Sequence, residues 1–239
     1  MTEIDRRTWL AGAGAFIATP ALAALADDTP PVPAYDYLFL DLADAEGSTP
    51  SRAYADAVRA RLPGIAAAGG EVLGLFSPQI GWVARQAALL VRWGPDAKGR
   101  EREIGGLMRG KTVTFAQRGK LTATSRPAPA DRPRPGGIYV HRWFVVKTAN
   151  VPEFLALSQE GWRDFEARFE ANIFGLFTAD RSAADSRSGV QRLLLITRYR
   201  DHGVWETSRD PATAAMAAFQ RRAAITQDTW NASTLLVPI

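Results

Sequence analysis

VLGLFS at residues 72–77 and IFGLFT at residues 173–178 are nearly the same phrase, written twice in one chain. Gly74 and Gly175 are 101 positions apart, and at nearly the same offset YLFLDL from Tyr37 falls beside YVHRWF from Tyr139. A third pair, ALLVRW at 88–93 and LLITRY at 194–199, has an offset of 106, so the second copy carries a slightly longer loop, ADRSAADSRSG at 179–189. That loop is small and polar, as an insertion between hairpin strands should be. A period near 100 is too long for a stacked repeat, so a whole domain is duplicated.

The second copy shows its elements best. Gly137 to Val146 alternates and is rich in aromatic and β-branched residues, which predicts a strand. Asn150 with Glu153 has the form of a capping box, and Phe154, Leu157, Gly161, Phe165 and Phe169 then recur at helical spacing with Trp162 beside them. Ile173 to Thr178 and Arg192 to Tyr199 are near-continuous apolar runs, the pattern of strands buried on both faces. Asp210 and Pro211 read as a helix start before a stripe of Met216, Phe219 and Ala223, and Thr234 to Val237 as a closing strand. The order β-α-β-β-α-β is the ferredoxin-like arrangement, whose first and third strands are central.

The first copy follows the same order from Tyr35 to roughly Lys120. Its first helix carries Tyr54, Ala57, Val58, Leu62 and Ile65 on one face, and Pro63 is expected to kink or end it. A short, glycine-interrupted second helix around Glu101 to Met108 marks this half as degenerate. The divisions are therefore 27–125 for the first half, 126–137 (RPAPADRPRPGG) for a proline-rich linker, and 138–239 for the second half. Helices cover one face of such a sheet and leave the other apolar, so the halves must cover each other. The expected class is α+β: two ferredoxin-like halves, sheets face to face, in the α+β barrel usually made by a dimer.

Residues 1–26 read as a twin-arginine export signal. Arg6 and Arg7 precede Trp9, Leu10 and a small-residue apolar stretch, and the A-x-A pattern places cleavage after Ala26. Leu10 to Ala26 is short of the roughly 20 apolar residues a membrane span needs, and no other stretch qualifies. The address is thus periplasmic. With no cysteine, disulfides, thiolate catalysis, zinc–thiolate sites and iron–sulfur clusters are excluded. The net charge of +4 on an exported protein reads as solvated surface or as attraction for anionic ligands, with no nucleic acid as partner.

The second half, GIYVHRWFVVKTANVPEFLALSQEGW with IFGLFTAD, LLLITRYRDHGVWETSR and STLLVP, resembles the NIPSNAP family of dimeric α+β barrel proteins. The motifs are Arg142 in the first strand and the spaced set Arg198, Tyr199, Trp205. The resemblance implies the duplicated ferredoxin-like fold but no settled activity. The superfamily it implies holds cofactor-free monooxygenases, haem peroxidases and haem-dependent chlorite dismutases. The first half has Leu40 where Arg142 stands, so a site is expected in the second half.

Within it, His141 and Arg142 are the candidate catalytic residues. His141 is a titrating ring in a central strand and Arg142 a costly cation there, calling for an acid or an anionic ligand. Arg192 and Arg198 raise the same question, with Asp164, Glu166 or Glu206 as the acids that would answer it structurally. Arg198, Tyr199, Trp205 and Trp162 are expected to line an apolar ligand pocket, the alternative being that the aromatics are simply core. No cofactor is expected, the alternative being haem on His141 or His202. No hydrolase or nucleotide motif is present, and scattered acids support no metal site. The expected reading is an exported small-ligand protein, a cofactor-free oxidoreductase or a binding module, compatible with a homo-oligomer.

Overall fold

The structure, a computed structural model, describes residues 32–239; the export signal and its cleavage point lie outside the described residues. The first half comprises β1 (Ala34–Leu42), α1 (Pro50–Ala67), β2 (Gly70–Ile80), β3 (Gln86–Trp93), α2 (Arg100–Met108) and β4 (Val113–Ala123). The second comprises β5 (Ile138–Lys147), α3 (Val151–Arg168), β6 (Ala171–Ala179), α4 (Ala183–Arg187), β7 (Val190–Tyr199), α5 (His202–Thr207), α6 (Ala214–Ala224) and β8 (Thr226–Val237).

Each half makes a four-stranded antiparallel sheet with its first and third strands central, and the sheets join at both edges. The strand order is β1-β3-β2-β8-β5-β7-β6-β4, closing on itself. One seam pairs Leu75–Ile80 of β2 with β8, and the other pairs Leu121–Ala123 of β4 with Ala179–Phe177 of β6. The chain is thus a tandem of ferredoxin-like halves in the α+β barrel architecture. Closure leaves no sheet edge free for another chain to pair with.

The repeated phrase marks the same device in both halves. The β2–β3 register shifts between Val72 and Gly74, and the β6–β7 register between Ile173 and Gly175. A Cβ on Gly74 would lie 2.8 Å from the Phe76 ring, and one on Gly175 2.7 Å from the Phe177 ring. Each glycine thus lets a phenylalanine two residues on fold over a bulge into the barrel, where Phe76 and Phe177 both join the inner core.

Three apolar clusters follow from the alternation of side chains along each strand. One fills the barrel, one lies between the first sheet and α1 and α2, and one lies between the second sheet and α3 and α6. Several local expectations change. Asn150 makes no side-chain cap to α3, which begins with Pro152 in its first turn. α6 begins after Thr213, whose hydroxyl accepts from the Met216 amide, and not at Asp210. The polar insertion is in part a helix, α4, closed by a Ser182–Asp185 capping box. A short helix, α5, follows Asp201, whose side chain caps it by accepting from the Val204 amide. α1 runs on through Pro63 to Ala67, although the proline has no N–H to give to the carbonyl four residues earlier. β8 begins at Thr226, well before the apolar Thr234–Val237 segment, because its exposed first half is polar.

In the first half, one carboxylate ties the sheet to α2. Asp36 is fully buried and accepts from Trp93 Nε1 at 2.8 Å, Arg100 Nε at 2.8 Å and Arg118 Nε at 2.6 Å. Burial alone would raise its pKa, but hydrogen bonds and charge from Arg100 and Arg118 hold the carboxyl below its ordinary range. Replacing Asp36 by Asn should therefore cost roughly 3 kcal/mol, since it removes the carboxylate paired with Arg100 and one of the two, with Glu101, that hold Arg118. Urea unfolding of the Asp36→Asn protein measures this, and an unchanged midpoint would contradict it.

Candidate functional site

β5 determines where its functional side chains can meet. Val140, Arg142 and Phe144 face outward to the helices, whereas Tyr139, His141 and Trp143 face into the barrel. His141 and Arg142 are neighbours in sequence, but the thickness of the sheet lies between their side chains.

On the inner side, His141 Nδ1 and the Tyr37 hydroxyl share a hydrogen bond of 2.9 Å, which joins β5 to β1 across the two halves. The imidazole lies edge-on to Phe76 at 4.6 Å and to Trp82 at 5.5 Å between ring centroids, and its Nε2 is buried without a partner among the described residues. Burial pushes its pKa down to about 3, so the ring is neutral. Burial also raises the Tyr37 phenol well above its usual range, so this pair carries no charge near neutral pH.

On the outer side, the second sheet and its helices leave a cavity of about 460 Å³. Phe144, Phe165, Phe219, Trp162 and Trp205 wall it, and Arg142, Arg209 and Arg222 enter it from β5, the segment after α5 and α6. Arg222 is buried; it donates to Ser158 Oγ at 3.1 Å and lies over the rings of Phe144, Phe154 and Phe219. Burial, reinforced by the charge of Arg142, pulls its pKa down to about 9. Burial and then the charge of Arg209 lower Arg142 as well. Neither Arg142 nor Arg222 pairs with a carboxylate among the described residues; Asp228 is the one acid on the cavity lining.

Tyr199 lines the same cavity as these cations. Burial raises its pKa, while Arg142, Arg222 and Arg209 all act to lower it and Ser208 is its hydrogen-bonding neighbour. The indole Nε1 of Trp162 is buried without an acceptor, and Arg126 of the inter-half segment lies 5.4 Å over its ring while pairing with Glu166 at 2.8 Å. Gly161 makes the roof possible, because any Cβ there would strike the Phe219 ring of α6. The first half has a pocket between α1 and α2, lined by Tyr54, Ala57, Arg61 and Leu107, but no arginine at the counterpart of Arg142. Leu40, Tyr54 and Trp93 pack its corresponding face, with Trp93 in the place that Tyr199 holds in the repeat.

Of the residues expected to share a pocket, Arg142, Tyr199, Trp162 and Trp205 line this cavity. Arg198 does not; it donates to the Gly136 carbonyl at 2.9 Å and the Pro135 carbonyl at 3.4 Å. Arg192 reaches Asp185 at 2.8 Å, and none of Asp164, Glu166 and Glu206 pairs with a strand arginine: Asp164 holds Arg168 and Glu166 holds Arg126. His141 lies on the other side of the sheet, so it serves the barrel and not the cavity. His202 contacts Ser233 Oγ at 2.8 Å and does not line the cavity either. A haem held there by His141 or His202 therefore does not fit, since no imidazole is present to coordinate it. Sequence reading missed Arg209 and Arg222. Arg222 was legible in principle, as it falls on the same α6 face as the buried Ala215 and Ala218.

Two outcomes are expected from this geometry. A Gly161→Ala chain should turn Phe219 into the cavity and lose about 1–2 kcal/mol through overpacking, read as a smaller void in its structure and a lower Tm. His141 remains unprotonated in the folded protein down to about pH 3, whereas its unfolded form takes up a proton below 6.5. Stability should therefore fall as pH drops through that window, by about 2 kcal/mol from this group at pH 5. His141→Phe should remove that part of the pH dependence in denaturant titrations.

No protein-family profile matches the chain, and no curated protein does. Solved structures are similar to it across most of its length. A protein assigned as a monooxygenase from Lactobacillus acidophilus superposes with a TM-score of 0.55 at 10% identity, over 86% of this chain and 94% of that one. An anthrone oxidase-like protein gives 0.53 at 15% identity, over 88% and 93%. Chlorite dismutase from Candidatus Nitrospira defluvii gives 0.53 at 10% identity, over 88% and 92%. At such identities the likeness is one of fold, and the fold shared is the dimeric α+β barrel.

Proposed function

We propose that this is an exported protein of NIPSNAP kind that binds a small organic anion with an apolar, aromatic body in the outer cavity of its second half. The observation that carries the reading is the pair Arg142 and Arg222. Two guanidinium groups line one aromatic-walled cavity, the charge of Arg142 acts against that of Arg222, and no carboxylate pairs with either among the described residues. An uncompensated buried cation is costly, and an anionic ligand offsets that cost. Apolar walls with a few fixed polar groups are what small-ligand sites require.

The names of two structural neighbours, a monooxygenase assignment and an anthrone oxidase-like protein, belong to oxygen chemistry. On this reading the held oxygen is enolate-like and the protein a cofactor-free oxidoreductase, with Arg142 stabilising the oxyanion. His141 takes no part in that reading, being behind the sheet. If no turnover accompanies binding, the protein is a binding module.

Native mass spectrometry of the protein recovered from the periplasm tests the reading. The chain should begin at Asp27 and carry a small anion that Arg142→Gln releases. An intact N-terminus on cytoplasmic protein would remove the export reading. Ligand retention unchanged in Arg142→Gln would remove the anion site. Dioxygen consumption by the loaded protein separates oxidoreductase from binding module.

A further inference from the structure

We infer that Tyr37 and His141 form a redox-active pair inside the barrel: a small one-electron oxidant reaching Trp230 at the rim oxidises Tyr37, and the phenolic proton moves to His141 Nδ1. The inference rests on the inner face of the sheet and stands whether or not the outer cavity holds an anion. Tyr37 and His141 are 2% and 1% exposed, and they meet across 2.9 Å from opposite halves of the chain. Two rings continue outward from the phenol. Trp143 of β5 stands edge-on to Tyr37 at 5.8 Å between centroids, and Trp230 of β8 is stacked on Trp143 at 6.3 Å with 11° between the planes. β2 pairs with β8 only from Ser233 onward, so Trp230 lies where β8 runs on beyond that seam, and its ring is only half-buried. The path of rings therefore ends at solvent.

A buried phenol with no base beside it is a poor electron donor, because losing an electron leaves a cation in an apolar setting. That cost falls when the proton leaves together with the electron, to a base already hydrogen-bonded to the oxygen. Here the imidazole is neutral and its Nδ1 is in place, so the proton has only to cross an existing hydrogen bond. The step requires the phenol to donate to Nδ1, which puts the imidazole's own hydrogen on Nε2, the nitrogen without a partner among the described residues. An oxidised phenol is a far stronger acid than an imidazolium whose pKa is about 3, so the transfer runs toward His141. Phe76 and Trp82, 4.6 and 5.5 Å from the imidazole between centroids, pack beside the pair and limit the access of water to the product. The balance closes. The oxidant gains one electron, passed outward by Trp143 and Trp230; the Tyr37 O–H bond breaks to leave a neutral tyrosyl radical, and an N–H bond forms on the imidazole. Re-reduction by one electron returns the proton to the phenol.

The test uses flash-generated tris(bipyridine)ruthenium(III) as the oxidant, with electron paramagnetic resonance and transient absorbance as readouts. A neutral tyrosyl signal should appear, be lost in Tyr37→Phe, and form more slowly in heavy water. His141→Phe should slow its formation by about a hundredfold, the low end of what a positioned proton acceptor supplies. Trp230→Phe should slow it as well, by interrupting the ring path. Circular dichroism checks that the variants fold, and the heavy-water comparison on the unaltered protein tests the proton transfer even where His141→Phe does not fold. No tyrosyl signal, a signal undiminished in Tyr37→Phe, equal rates in light and heavy water, or a rate unmoved by Trp230→Phe overturns the inference and leaves Tyr37 and His141 as a packing contact.

Discussion

Everything distinctive here depends on the closure of the sheet. Once β2 pairs with β8 and β4 with β6, the inner face of both halves is sealed, and a side chain on any strand has two destinations. It joins the packed barrel or faces the helices. Room for a ligand is then found outside, where α3 and α6 stand off from β5 and β7. Because successive side chains on β5 take opposite sides, a histidine and an arginine that look like one catalytic pair become parts of two unrelated environments. One is a neutral imidazole locked to Tyr37, the other a cation facing a cavity.

The fold was legible for a physical reason. Duplication leaves two noisy copies of one pattern, and the glycine–phenylalanine bulge must recur wherever a ring folds back over the strand, as Phe76 and Phe177 do. Periodicity also revealed α3, whose buried Phe154, Leu157, Gly161 and Phe165 are spaced as a helix demands. What escaped was short or polar. α4 is too brief for periodicity to register, and the first half of β8 is exposed and lacks an apolar signal.

The cavity was half legible. Aromatic and arginine content in the second half pointed to Arg142, Tyr199, Trp162 and Trp205, which do meet. A pattern of residue types carries no sidedness unless the strand register is applied to it, and this is why Arg198 and His141 were grouped with them. Arg222 was hidden by the habit of reading arginine as solvent-facing. Its position opposite Ser158 and among three phenyl rings is set by packing between α3 and α6 that no local window contains.

The segment joining the halves does more than connect them. Thr124 and Arg126 continue the β4–β6 seam by bonding to the backbone of Leu176, so the covalent tether is itself part of the wall. In a barrel assembled from two identical chains, each substitution appears twice and each site has a twin. Fusion removes that obligation. Leu40 can stay in one half while Arg142 stands at its counterpart in the other, so one face is free to specialise in holding the structure together through Asp36. The other face can then tolerate mutually repelling arginines without risking the whole, and selection can tune a single site per chain with no symmetric cost elsewhere.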